Sequence, residues 1–431
     1  MSSAVLLPVY RVAARGLAPF SGMFLWRRGR RGKEDVNRIG ERRGRASLPR
    51  PEGRLAWLHG ASVGEGLALL PLVSRLTAKG FHVLVTTGTV TSARILAQRL
   101  PEGASHQFSP LDAPAFIERF LDHWRPDLFV LAESEIWPNT ICAVHARKIP
   151  ITLVNARLSP RSFERWRRLP GFISTLLGKI DLCLAQSQDD AARLLQLGAP
   201  RVDAIGNLKY DVDAPPADPA RLDELAAEIG PRPIWIAAST HPGEEAIAFA
   251  AHKTLAKRLP NLLTILAPRH PHRGPEIAAQ AAEAGLEAAL RSRKEPIRPS
   301  TQVYVGDTIG ELGLFYRLSS VIFMGKSLAG QGGQNPIEPA KLGSAILHGP
   351  HIGNFIDVYG ALDSRGGAIK VADADALARQ LESLFTDPTL LRRTAEESRR
   401  VVGELGGATD KIMQALEHYI AHMIVTRPQA F

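Results

Sequence analysis

A glutamate three residues after a serine, set among glycines, can serve as a helix cap or as a base. His59-Gly60-Ala61-Ser62-Val63-Gly64-Glu65-Gly66 follows a short apolar run and opens a helical pattern. Ser62 and Glu65 have capping-box spacing, and the glycines let another group approach the backbone. A carboxylate at a helix N-terminus is held ionised, the state a general base requires. Glu65 is therefore the first candidate for catalysis. Glu133-Ser134-Glu135-Ile136-Trp137-Pro138-Asn139 sets two carboxylates at alternating positions of an expected strand end, hence on one side, before a helix started by Pro138. Gly206-Asn207-Leu208-Lys209-Tyr210-Asp211 offers a lone lysine, which by its chemistry alone reads as surface charge.

The second half carries anion-binding patterns. Pro268-Arg269-His270-Pro271 follows an apolar run, where Arg269 could pair with phosphate through two parallel hydrogen bonds. Gly306-Asp307-Thr308-Ile309-Gly310-Glu311 and Gly332-Gly333-Gln334-Asn335-Pro336-Ile337-Glu338 both enter helices, and each also holds a capping pattern, Thr308 to Glu311 and Asn335 to Glu338. Gly-rich turns bind anions through backbone N–H groups, and an acid one turn in can accept hydrogen bonds from ribose hydroxyls. Three such turns in one domain describe a nucleotide site. Gly325-Lys326-Ser327 resembles the end of an NTPase phosphate loop, but the earlier glycine such a loop needs is Ser320. Neither GxGxxG nor GxSxG occurs, which weakens dehydrogenase and hydrolase readings. No metal-ligand spacing stands out. The two cysteines, Cys142 and Cys183, lie outside any CxxC or His-rich context, which fits a reducing compartment.

The elements that must position these groups follow from hydrophobic patterning. The 431 residues suffice for two or three domains, and 45% hydrophobic with 22% charged residues is ordinary globular composition. Short apolar runs at 54–59, 81–87, 127–133, 151–156 and 181–187 alternate with helix-length segments, which predicts a parallel sheet covered on both faces. The Pro-rich stretch 211–233 is expected to be a linker around one helix. The pattern restarts at 234–239, 262–268, 301–307, 320–325 and 344–349. The expected organisation is α/β: a domain over 54–210 and another over 234–407, doubly wound halves facing across a cleft. A last helix within 408–431 could return to the first half. Ligands of such sheets sit at the carboxyl ends of the strands.

Net charge is +10, but residues 1–54 hold 13 Lys/Arg against 4 Asp/Glu, leaving +1 for the other 377 residues. A neutral body disfavours nucleic acid as partner. Residues 4–26 are mostly apolar yet carry Arg11, Arg15 and two prolines, so no uninterrupted apolar run of roughly 20 residues is present. The cations interrupt or follow the apolar part, unlike those of a signal peptide. Trp26 followed by Arg27, Arg28, Arg30, Arg31 and Lys33 suits a segment lying in lipid headgroups. Residues 1–53 are thus expected to associate with a membrane, with a solvated basic arm and a marginal single span left as alternatives.

HGASVGE, ESEIWPN, LVNARLSPRSF, GNLKYD, STHPGEE, PRHP, GDTIGELG and GGQNPIEP, in this order, make the chain resemble the 3-deoxy-D-manno-octulosonic acid (Kdo) transferases of lipopolysaccharide biosynthesis. The resemblance covers residues 55–360 densely. It implies a GT-B glycosyltransferase fold, an enzyme at the cytoplasmic face of the inner membrane, and transfer of Kdo from CMP-Kdo to a lipid A precursor, with no cofactor or metal. By the family pattern Glu65 is the proton acceptor, while Glu135 and Lys209 stabilise the transition state. Pro268 and Arg269, Ile309 to Glu311 through Gly310, and Asn335, Pro336, Ile337 and Glu338 are the CMP-binding segments. The chain departs from the family pattern at Gln334, often His, at Lys326, often Gly, and at Gly60, commonly Ala. Alternatives from the residues are a GT-B transferase or epimerase using another nucleotide-sugar, and a non-catalytic membrane-bound nucleotide- or lipid-binding protein.

Overall fold

The computed structural model describes residues 3–426. The chain divides into two units, one formed up to Val212 and again from Gly406 on, the other by Asp213–Leu405. In the first, strands β1 (Leu55–His59), β2 (His82–Thr87), β3 (Ala104–Phe108), β4 (Leu128–Ala132), β5 (Ile151–Ala156), β6 (Leu182–Ala185) and β7 (Val202–Ala204) form a seven-stranded sheet in the order β3-β2-β1-β4-β5-β6-β7. Every pairing is parallel. Side chains alternate across β1: Ala56 and Leu58 enter one core with Leu72, Val83 and Val130, whereas Leu55 and Trp57 enter the other with Phe120 and Phe129. Covering helices bury both faces, so the inner strands read as continuous apolar runs.

The second unit repeats the plan with β8 (Ile234–Thr240), β9 (Leu263–Pro268), β10 (Ala288–Leu290), β11 (Val303–Val305), β12 (Val321–Met324), β13 (Ala345–His348) and β14 (Ala368–Lys370), in the order β10-β11-β9-β8-β12-β13-β14, again all parallel. The direction of winding reverses between β1 and β4 in one sheet and between β8 and β12 in the other, and crevices for ligands open at such reversals.

Residues from 213 on, most of the expected 211–233 linker among them, belong to the second unit. The helix Pro219–Ile229 buries Leu225 and Ile229, Glu228 accepts the Ile297 N–H, and Gly313 lies so close to the Pro215 and Pro216 carbonyls that a Cβ would fall 2.3 Å from one of them. The final helix, Ala408–Thr426, packs Ile412, Leu416 and Ile420 into the first core, and its start is tied by Asp211, which accepts the Gly407 and Thr409 N–H groups. Residues 427–431 lie outside the described residues, as do 1 and 2.

The N-terminal stretch is helical, with Ser3–Leu17 and Ser21–Gly29 joined by a short 3-10 turn. One side is docked: Leu25 is fully buried and the Tyr10 hydroxyl donates to Asp112 at 3.0 Å. The other side exposes Val9, Val12, Leu17, Phe20, Met23, Phe24 and Trp26. Among the described residues no helix is long and apolar enough to cross a membrane.

Candidate active site

Glu65 sits in the first turn of the helix Val63–Ala68, just past β1. The capping box forms in both directions: Ala61 N–H and the Ser62 hydroxyl donate to the Glu65 carboxylate at 2.7 and 2.6 Å, and the Glu65 N–H donates to Ser62 Oγ at 3.3 Å. Helix-terminal placement alone predicts an easily ionised acid. Burial instead raises the Glu65 pKa, partly countered by these two donors and reinforced by the nearby Glu133 and Glu135 charges. A base with a raised pKa is the stronger base.

The two acids after β4 do not share a face by strand alternation. The strand ends at Ala132, and Glu133 turns into the left-handed region at φ +56°. The two carboxylates then go to different partners. Glu133 Oε1 receives the Lys209 ammonium at 2.6 Å. Glu135 receives Trp137 Nε1–H at 2.7 Å and lies 3.9 Å from His59 Nε2. Burial pushes the Glu135 pKa up, but the His59 and Trp137 contacts more than offset it and hold the acid below its ordinary value. Glu133, one of the two paired acids but outside the roles the family pattern assigns, is thus the direct partner of Lys209. Both acids remain close enough to Glu65 to disfavour its ionisation.

Lys209 is half-buried, and the sheet fixes its position. Asn155, at the end of β5 with φ +52°, accepts the Leu208 N–H on Oδ1 at 2.9 Å. Leu208 is fully buried in the core, and Asn207 Oδ1 accepts the Lys209 N–H at 3.0 Å. Gln186 bridges the two asparagines, donating to the Asn155 carbonyl and accepting from Asn207. Here Glu65, Glu133, Glu135, Lys209 and His59 converge from the ends of β1, β4 and the turn after β7. The site gathers a buried carboxylate of raised pKa, Glu65, and an ion-paired lysine, Lys209 with Glu133, in partly desolvated surroundings.

In the second unit Pro268 ends β9, and the exposed Arg269 donates its N–H to the Thr240 carbonyl at 3.0 Å. His241, next to it in space, contacts Gln334 Nε2 at 3.1 Å, which brings the turn after β8 to the turn that precedes the helix Ile337–Lys341. Burial, with Lys326, His270 and Arg269 nearby, lowers the His241 pKa despite Glu244. Asn335 Oδ1 caps the Ile337 N–H at 3.0 Å; Pro336 and Ile337 are buried, so they offer backbone rather than side chain to a ligand. Ile309 and Gly310 are exposed after β11, Gly310 at φ +88°.

Glu311 differs from the sequence expectation of an acid open to ribose. Arg291 grips it as a fork, at 3.1 and 2.8 Å, Arg221 reaches it at 3.4 Å, and the Thr308 hydroxyl donates to it. The Arg291 contact, aided by Thr308 and Arg221 against partial burial, lowers its pKa. Its carboxylate therefore shapes one wall of a cavity of about 990 Å³, shared with Tyr304 and Ile309. Arg291 carries no motif signal of its own, which is why spacing did not find it. Among the described residues no cluster of His, Cys, Asp or Glu could hold a metal ion.

A family model described as 3-Deoxy-D-manno-octulosonic-acid transferase (kdotransferase) matches residues 37–212. A 3-deoxy-D-manno-octulosonic acid transferase of Haemophilus influenzae is 36% identical, spanning 88% of this chain and 89% of its own. A probable mitochondrial 3-deoxy-D-manno-octulosonic acid transferase of Arabidopsis thaliana is 35% identical over 92% of each chain. Among solved structures, a glycosyltransferase from Rickettsia africae superposes with a TM-score of 0.57 over 86% of this chain and 98% of its own; at 14% identity the likeness concerns the fold.

Proposed function

The chain belongs to the 3-deoxy-D-manno-octulosonic acid transferase family and is a glycosyltransferase of the GT-B fold; from that premise we propose that it moves Kdo from CMP-Kdo, with inversion, to a lipid A precursor at the cytoplasmic face of the inner membrane. The observation that carries this is the convergence of Glu65, Glu133, Glu135 and Lys209 at the strand ends of the first unit. Glycosyl transfer needs an acceptor hydroxyl deprotonated as it attacks and a leaving phosphate stabilised. Glu65 takes the proton. Its raised pKa suits a base that must hold a proton once transfer begins. Lys209, held by Glu133, supplies fixed positive charge that needs no reorganisation during reaction.

In the second unit Arg269 and the turns at 309–311 and 335–338 hold the CMP moiety. The charge on the departing nucleotide is met by protein cations and backbone N–H groups, and neither a metal nor an organic cofactor is invoked. The exposed apolar side chains of residues 9–26, with Arg28 over the Phe24 ring at 5.6 Å and Arg30 over Trp26 at 5.0 Å, support a segment lying among anionic headgroups. There the enzyme meets an acceptor whose acyl chains are buried and whose phosphates are exposed. Mass spectrometry of a tetraacylated lipid A precursor incubated with CMP-Kdo tests the proposal. The expected result is addition of one or more Kdo residues; an unchanged acceptor with folded, CMP-binding enzyme contradicts the acceptor assignment.

A further inference from the structure

Lys326 holds a backbone conformation that a long L-side chain rarely takes, φ +58°, at the end of β12. A buried carboxylate fixes it there. Glu244 accepts N–H groups from Lys326 at 2.6 Å, Ser327 at 2.9 Å, Leu328 at 3.0 Å and His241 at 2.9 Å. The Lys326 carbonyl in turn accepts the Gly333 N–H at 2.9 Å, fastening the turn that leads to Asn335. Such strain persists where surroundings over-determine it, chiefly at functional sites.

The side chain is directed as well. Its stem crosses Gly330, where a Cβ would fall 2.8 Å from Lys326 Cγ. The ammonium lies near enough to the His241 ring to disfavour that ring's protonation, as do Arg269 and His270. Among the described residues neither Lys326 nor Arg269 has an ion-pair partner, and both Glu244 oxygens are occupied by backbone N–H groups. A lysine needed only to fill a left-handed position would be better replaced by glycine. Around His241, the basic groups Lys326, Arg269 and His270 outnumber the Glu244 carboxylate, an excess that favours an incoming anion.

We propose that the Lys326 ammonium is a second anion-binding group of the donor site, pairing beside Arg269 with an anionic oxygen of the sugar nucleotide, either its phosphate or the carboxylate of the sugar acid. It sets donor affinity and leaves the chemical step to the first unit. This rests on the assignment of the second unit as the CMP-Kdo site.

The test compares wild type with Lys326→Asn, which tolerates the left-handed backbone without the charge, Lys326→Gly, which relaxes it, and Lys326→Arg, which keeps the charge. Steady-state transfer gives KM and kcat for CMP-Kdo; titration gives affinities for CMP and for cytidine. Loss of one charged contact predicts a KM for CMP-Kdo raised roughly tenfold in the Asn and Gly variants. In those variants kcat stays within about threefold, cytidine affinity is unchanged, and Arg largely restores KM. A parallel loss of CMP affinity identifies the phosphate as partner; unchanged CMP affinity with raised CMP-Kdo KM identifies the carboxylate. Wild-type KM in the Asn and Gly variants, or a matching loss of cytidine affinity, overturns the proposal while wild-type transfer leaves the function standing. Absence of Kdo transfer by the wild type overturns both.

Discussion

Glu65 is at once the cap of its own helix and the base of the proposed reaction. Its pKa is raised chiefly by burial, so as pH falls the base protonates earlier than an ordinary glutamate near about 4.3. The acid limb of kcat/KM is expected above that value and should vanish in Glu65→Gln. Lys209→Met leaves Glu133 without its 2.6 Å partner and is expected to lower kcat on the order of 10²-fold. The double variant Glu133→Gln/Lys209→Met should lose little more than either single change, since the pair acts as one group; additive losses in rate assays would contradict this. Glu65 stands out in its own motif, whereas Lys209 reads as surface charge by its chemistry and enters only through the family resemblance. The division of labour between Glu133 and Glu135 was not legible, because two-residue alternation ends with the strand at Ala132 and the positive φ of Glu133 re-aims its side chain.

The elements show a similar limit. All ten strands expected from apolar runs are present, and the four unanticipated ones, β3, β7, β10 and β14, are the four sheet edges. Inner strands are buried on both faces and so are continuously apolar; edge strands are short or polar, as in Ala-Ser-His-Gln-Phe of β3, and give no run to read. Asn155 shows how an element end places a side chain of the proposed site, Lys209. Asn155→Ala keeps a left-handed backbone without its tolerance and removes the acceptor for Leu208 N–H, so a loss of about 1–3 kcal/mol in denaturant unfolding is expected, with lowered kcat from a displaced Lys209. Gly325 sits where a Cβ would fall 2.5 Å from the Ser239 carbonyl. Gly325→Ala should therefore separate β12 from β8 at the donor turns and weaken CMP binding in titration, with first-unit packing unaltered.

At the scale of the molecule, charge and apolar exposure are concentrated in the N-terminal segment while the rest of the chain is nearly neutral. That much was legible in composition; which side chains face outward was not, because Leu25 and Trp26 are adjacent large apolar residues and only the docked helix buries the first. Replacing Phe20, Met23 and Trp26 together by serine is expected to reduce partition onto anionic vesicles more than tenfold, at roughly 1.5–3 kcal/mol for each large side chain fully buried. Turnover of a detergent-dispersed acceptor should persist; equal vesicle binding by the variant contradicts an interfacial role for this face. The central claim, a Kdo transfer that uses Glu65 as base, is tested most directly by wild type and Glu65→Gln assayed side by side for CMP-Kdo binding and for Kdo addition to the lipid A precursor. The account predicts near-equal donor binding with turnover lowered on the order of 10²–10⁴-fold. Full turnover by Glu65→Gln, or lost donor binding with the rate per bound donor intact, would contradict it.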